Sequence, residues 1–177
     1  MNNNIAKPVE GQHADWAPVY IKHVPDDGMV LDHLENGLQQ VINFVEPLTE
    51  EQLLYRYAKG KWSIKEVLVH LMDVERVFSY RALAAAREDK TNLPGFDHNS
   101  YVPHSGADNR TKSSLLDEYQ TLRASTLAFF NSLEEEALFR VGKASGQPCT
   151  ASAMVYMITG HEQHHLGILK ERYLQNN

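Results

Sequence analysis

From Met29 onward, apolar residues recur every three or four positions in four separate stretches, the spacing that lines one face of an α-helix. The first holds Met29, Val30, Leu34, Leu38, Val41, Ile42 and Val45, and Pro47 closes it because proline has no N–H to donate. Thr49 and Gln52 then form the outline of a capping box, which predicts a short helix to about Tyr57. The second stretch starts at Ser63, where Glu66 stands three residues on, so each side chain can satisfy an orphan N–H of the first turn. Trp62, just before that cap, is placed to staple against Val67. Ile64, Val67, Leu68, Leu71, Val74, Phe78, Leu83 and Ala84 carry the apolar face to about Arg87. Thr111 caps a third helix bearing Leu115, Leu116, Tyr119, Leu122, Leu127, Phe130 and Leu133, and Thr150 caps a fourth that runs through Tyr173.

Between these stretches the periodicity fails. Residues 89–110, with Pro94-Gly95, Asn99, Pro103, Gly106 and Asn109, form a connection too long for a simple hairpin between helices. Such a segment is either functional or a crossover. A linker with Gly142, Gly146 and Pro148 precedes the fourth helix, and no strand pair is expected anywhere. Residues 1–25, with Pro8, Pro18 and Pro25, read as an extended N-terminal arm, and residues 26–177 as one domain. Four long amphipathic helices in one domain specify an all-α four-helix bundle.

Composition narrows the function classes. A chain of 177 residues can bury a core without disulfides or structural metals. Its net charge of -6 disfavours nucleic acid, whose phosphates call for clustered Lys and Arg. No window approaches the roughly 20 apolar residues that span a bilayer, so no membrane partner is expected. The first eight residues lack the apolar run of a signal peptide. Cys149 is the sole cysteine, which rules out an intrachain disulfide and suits a reducing cytoplasm. Cys149 itself reads as a small buried hydrophobe, since no histidine lies near it in sequence to activate it.

The candidate chemistry lies in the nine histidines. His161 and His165, four residues apart on the fourth helix, project from one face and can both reach one ion. His70 lies on the second helix among Leu68, Val69, Leu71 and Met72, and supplies a third imidazole if the two helices face each other. Three imidazoles match a catalytic transition-metal site with one coordination position left for water or a thiol. His164 is expected behind or beside the ligands, because three adjacent ligands from one helix would strain the geometry. Asp73, close to one turn beyond His70, is a candidate acceptor for an imidazole N–H. Glu75 reads as a surface charge. Asp97, His98, Tyr101 and His104 on the crossover are candidates to line the pocket.

A competing pattern shares the same residues. His161-Glu162-Gln163-His164-His165 satisfies His-Glu-x-x-His, in which the glutamate of a zincin peptidase acts as general base. The extended form would need Gly at 168 and His at 171, where the chain has Ile168 and Glu171, and only twelve residues follow His165 to supply a third ligand. A di-iron bundle needs two Glu-x-x-His motifs on its helices, and Glu162-x-x-His165 is the only one on a predicted helix.

The segment from Gly60 to Leu71, with Trp62-Ser63 and His70, resembles the Trp-Ser…His segment of the DinB/YfiT-like superfamily. The run from Gly160 to Ile168 is similar to that superfamily's His-x-x-His-His-x-Gly segment, and Leu93-Pro94-Gly95-Phe96-Asp97 to its loop between the second and third helices. The likeness spans about residues 29–175 and departs where Ile168 replaces a frequent glutamine. It implies an up-down-down-up bundle, a metal held by His70, His161 and His165, and a homodimer. It also implies a small-molecule substrate, handled either by metal-dependent hydrolysis or by transfer of a low-molecular-weight thiol. Zinc is the expected ion and nickel the main competitor. A metal-binding or stress-response protein without turnover is the non-enzymatic alternative, with Asp73 or His164 then closing the site.

Overall fold

The computed structural model describes residues 4–173; the ends of the predicted arm and of the predicted domain, residues 1–3 and 174–177, lie outside the described residues. In chain order the helices are α1 (Pro18–Ile21), α2 (Val30–Val45), α3 (Glu50–Leu53) and α4 (Ile64–Ala86), followed by strand β1 (Asn92–Leu93). Then come α5 (His98–Tyr101), two 3₁₀ turns, α6 (Lys112–Asn131), α7 (Glu135–Phe139), strands β2 (Gly142–Ala144) and β3 (Gln147–Cys149), and α8 (Ala151–Arg172). The four long helices, α2, α4, α6 and α8, are those expected from the periodicity. Each of the last three opens on its expected cap, with Ser63, Thr111 and Thr150 accepting from the N–H three residues on.

Side-chain contacts set the helix directions. At the start of α4, Ser63 donates to Asp108 at 2.6 Å and Lys65 to the carbonyl of Arg110, both at the entrance of α6, and Arg76 pairs with Glu118 further along. These two helices are therefore parallel. Lys112 at the start of α6 donates to carbonyls of Glu46 and Leu48 at the end of α2, so α2 and α6 are antiparallel. Tyr173 at the end of α8 donates to the Trp62 carbonyl before α4, which makes that pair antiparallel too. The order is up-down-down-up, and the chain between α4 and α6 must return the full length of the bundle.

Three features differ from the sequence reading. A three-stranded sheet is present: β1 pairs parallel with β2, and β2 antiparallel with β3 through a turn at Ser145-Gly146, both in left-handed backbone. Strands of two or three residues are too short for alternation to register. The segment before α2 is not simply extended. It carries the turn α1 and buries Ile5, Ala17, Ile21 and Val24, while Tyr156 and Ser152 of α8 donate to its carbonyls at Ile5 and Ala6. Helix α3 stops at Leu53, and Tyr55 and Tyr57 turn their rings edge-on to Tyr173 instead.

The core is divided. One apolar cluster gathers Leu34, Val74, Phe78, Phe130 and Ile158; the other gathers Val41, Met72, Leu115, Tyr119 and Leu166. On three of the four long helices buried polar residues stand at or near the gap between these sets: His70 and Glu75 on α4, Arg123 on α6, and His161 and Glu162 on α8. This polar layer holds the candidate chemistry. No described helix is long and apolar enough to cross a membrane.

Candidate metal centre

His70 of α4 and His161 of α8 meet where the two helices cross, with their Nε2 atoms 3.0 Å apart. At that separation one nitrogen can donate to the other, the roles set by the tautomers. One turn further along α8, the His165 ring lies 4.5 Å from that of His161 and 4.9 Å from that of His70, centroid to centroid. One ligand-capable nitrogen from each of the three lies within 4.8 Å of the others. Matching Zn–N bonds of about 2.0–2.1 Å calls for side-chain adjustment of about an ångström.

The electrostatics favour lone pairs over protons. Burial, helped by the neighbouring imidazoles, lowers His70 to about 3 and His165 to about 4, and holds His161 well below the usual histidine range. All three are neutral at pH 7, the form that ligates a cation. His70 is oriented by packing: Trp62 lies 4.8 Å from its ring and His98 5.3 Å, while its buried Nδ1 has no hydrogen-bond partner. Asp73, the expected acceptor, does not serve it. That carboxylate points toward Arg76, at 3.9 Å. His164 stands at the rim, half-exposed, its ring near those of Tyr20 and His23.

The trio opens on a cavity of about 620 Å³. Val74, Phe78 and Arg81 continue the wall along α4, Phe96 and His98 come from the crossover, and Trp16 and Tyr20 come from the N-terminal segment. Gly160 permits this last contribution, since a β-carbon there would overlap the Tyr20 carbonyl. Of the four crossover candidates only His98 lines the cavity. Asp97 caps α5 by accepting from the Asn99 N–H, Tyr101 is half-exposed with its ring edge-on to Phe96, and His104 sits in a 3₁₀ turn away from the wall. The N-terminal aromatics carry no local motif and were missed. Arg81 had a usable signal, because His70, Val74, Phe78 and Arg81 follow one stripe of a helix.

The same helix removes the peptidase reading. Consecutive helical residues point about 100° apart, so Glu162 leaves the trio and enters the core. Its Oε2 accepts from Tyr119 at 2.7 Å and from Arg123 at 2.5 Å, and its Oε1 lies against Gly37, where any β-carbon would overlap it. A carboxylate so placed cannot act as general base for water among the histidines. Glu75, expected on the surface, is 2% exposed and is held by Arg123 at 3.0 Å. Its counter-charge sits on another helix, so the residues around Glu75 gave no sign of it.

Comparison with known proteins agrees with the bundle. The family model described as the DinB superfamily matches residues 33–169, a span that includes all three histidines. The chain belongs to the DinB superfamily. It is 26% identical over 144 residues to a protein of Oceanobacillus iheyensis named "Putative metal-dependent hydrolase", covering 79% of this chain and 81% of that one. Among solved structures it is similar to YfiT from Bacillus subtilis, described as "a probable metal-dependent hydrolase with an unusual four-helix bundle topology". That match has a TM-score of 0.73 at 19% identity and covers 97% of this chain and 95% of YfiT. It is also similar in fold to a mycothiol-dependent maleylpyruvate isomerase, with TM-score 0.66 at 12% identity, covering 83% of this chain and 61% of the isomerase. Ile168, where the family resemblance departs, packs against the second apolar cluster and is not part of the cavity wall.

Proposed function

We propose that His70, His161 and His165 hold one divalent transition metal, zinc by default, and that this member of the DinB superfamily is a metal-dependent hydrolase of a small molecule. The observation that carries the reading is the convergence of three neutral imidazoles from two facing helices on the wall of one cavity. The donor set fits such an ion, since imidazole suits zinc and, in competition, nickel. A divalent ion there supplies Lewis acidity and lowers the pKa of a water or thiol bound to it.

The chain's own residues do the rest. Trp62 and His98 pack against the His70 ring, and apolar and aromatic side chains line the cavity beside the trio. Neither Asp73 nor His164 is close enough to join the three as a further ligand, which supports an open position over a closed, non-catalytic site. The fold shared with a thiol-dependent isomerase supports a second reading, transfer of a low-molecular-weight thiol at the same centre. A homodimer and a cytoplasmic setting belong to this proposal as well.

Elemental analysis of protein purified without a histidine tag tests the metal. About one zinc per chain is expected, falling to background in His70→Ala; background metal in both proteins would sink the proposal. Metal-loaded protein is then assayed on ester and epoxide substrates with and without a low-molecular-weight thiol. Turnover without thiol supports hydrolysis, and turnover only with thiol replaces it by the transferase reading.

A further inference from the structure

Two arginines are buried in this bundle and they are treated oppositely. Arg123 meets Glu75 and Glu162. Arg81 is only 7% exposed, yet among the described residues no carboxylate pairs with it. Its Nη2 donates to the Pro94 carbonyl at 3.1 Å and its guanidinium carbon lies 5.6 Å from the centre of the Phe78 ring. Cys149 is its electrostatic neighbour, but burial raises that thiol's pKa, so no thiolate balances the charge. A guanidinium does not shed its proton in a protein, and a buried cation without a counter-ion is costly. An arginine kept in that state on a cavity wall awaits a partner that arrives with a ligand.

The cavity is the one the histidines line. Arg81 stands on the same stripe of α4 as His70, eleven residues on, a rise of about 16 Å along the axis. Long helical side chains lean toward the helix N-terminus, as the contact with Phe78 shows for this one, so the guanidinium reaches back toward the trio. Among the described residues no lysine, no second arginine and no acidic residue lines the cavity. Along α4 the wall therefore runs from the imidazole of His70 through apolar Val74 and Phe78 to a single positive charge at Arg81.

We propose that Arg81 binds the carboxylate of an elongated, monoanionic small molecule, whose apolar body lies along Val74 and Phe78 and whose reactive group reaches the histidines. This rests on the reading of the cavity as the substrate site and adds the class of substrate. The planar fork of a guanidinium matches a carboxylate, and one cation balances one negative charge, where a phosphate monoester would bring close to two.

The test needs no metal and no turnover. Trp16 and Trp62 line the cavity, so tryptophan fluorescence of the metal-free protein reports occupancy. Octanoate, octanamide and octyl phosphate are titrated into the native chain and into Arg81→Gln. Octanoate is expected to bind at least tenfold tighter than octanamide and tighter than octyl phosphate, with the preference abolished in Arg81→Gln and octanamide binding unchanged. Equal affinities of octanoate and octanamide for the native chain overturn the proposal whether or not the variant folds. A carboxylate preference that survives in folded Arg81→Gln does the same, and a preference for octyl phosphate overturns the carboxylate assignment. A second arm compares octanohydroxamate before and after zinc loading: carboxylate preference without any zinc-dependent gain upholds Arg81 while removing the metal reading.

Discussion

Two groups of buried polar side chains share this bundle, and α8 sends adjacent residues into each. His161 joins an imidazole cluster that faces a cavity; Glu162, the next residue, joins a clamp closed on all sides. In the clamp every nitrogen of Arg123 finds an oxygen, from Glu75, Glu162 or the Leu34 carbonyl. In the cluster the imidazoles have mainly one another, and His70 keeps an unpartnered nitrogen. Glu162 Oε1, packed against Gly37, is the one carboxylate oxygen there without a donor; a network otherwise satisfied rigidifies the fold. An unsatisfied one beside open space is where a ligand has something to gain. The acidic residue of His-Glu-x-x-His belongs to the first group and its histidines to the second, which is why the string misleads.

The comparison breaks most severely at Arg123. Replacing it with methionine leaves Glu75 and Glu162 buried without their counter-charge, and unfolding by urea should show a loss of about 3–5 kcal/mol. A loss below about 1 kcal/mol would mean that the clamp is not structural. Next in size is acid. In the metal-free protein His70 and His165 have folded values of about 3 and 4, below the roughly 6.5 of an unfolded chain, so the unfolded chain takes up protons first. Stability should therefore decline on the order of a few kcal/mol as pH falls from about 6.5 toward 3, and level off below. Chemical unfolding at a series of pH values reads this directly; a flat profile across that window contradicts the burial of the trio.

His165→Ala acts on the other group alone. Zinc affinity, measured by competition with a chromophoric chelator, should fall by more than the roughly 100-fold that outer-shell changes reach. Stability of the metal-free protein should move by no more than about 1 kcal/mol, since the change removes an imidazole that holds no structural hydrogen bond. The smallest effect belongs to Asp73→Asn. With its carboxylate turned to Arg76 rather than to a ligand, stability should stay within about 0.5 kcal/mol and metal content should not change.

The long helices were legible because their signals are local: a three-to-four-residue apolar repeat and capping residues that act within one turn. The trio was legible in part for the same reason, since His161 and His165 are helical neighbours, and His70 followed once α4 and α8 were read as facing. What escaped depends on partners distant in sequence. Glu75 passes for a surface charge until Arg123, 48 residues later, is seen against it. Trp16 and Tyr20 join the cavity wall only because Gly160 lets a carbonyl come close. Asp73 was a reasonable acceptor by helical spacing, yet spacing fixes the direction of a Cβ and not the end of the side chain.

The parallel run of α4 and α6 has a consequence for how such a protein can diversify. A chain that must travel back about 30 Å before starting its next helix leaves a long strap over one side of the bundle, and here the strap contributes Gly95, Phe96 and His98 to the cavity. The imidazoles sit on helices anchored by the core, whereas the strap is pinned mainly at Leu93, Val102 and Ala107, and its exposed stretches between them can change length and side chains more readily. Beyond the contacts that α4 itself makes, part of the selectivity is thereby written in a piece of polypeptide separate from the imidazoles, and that part can be revised without moving them.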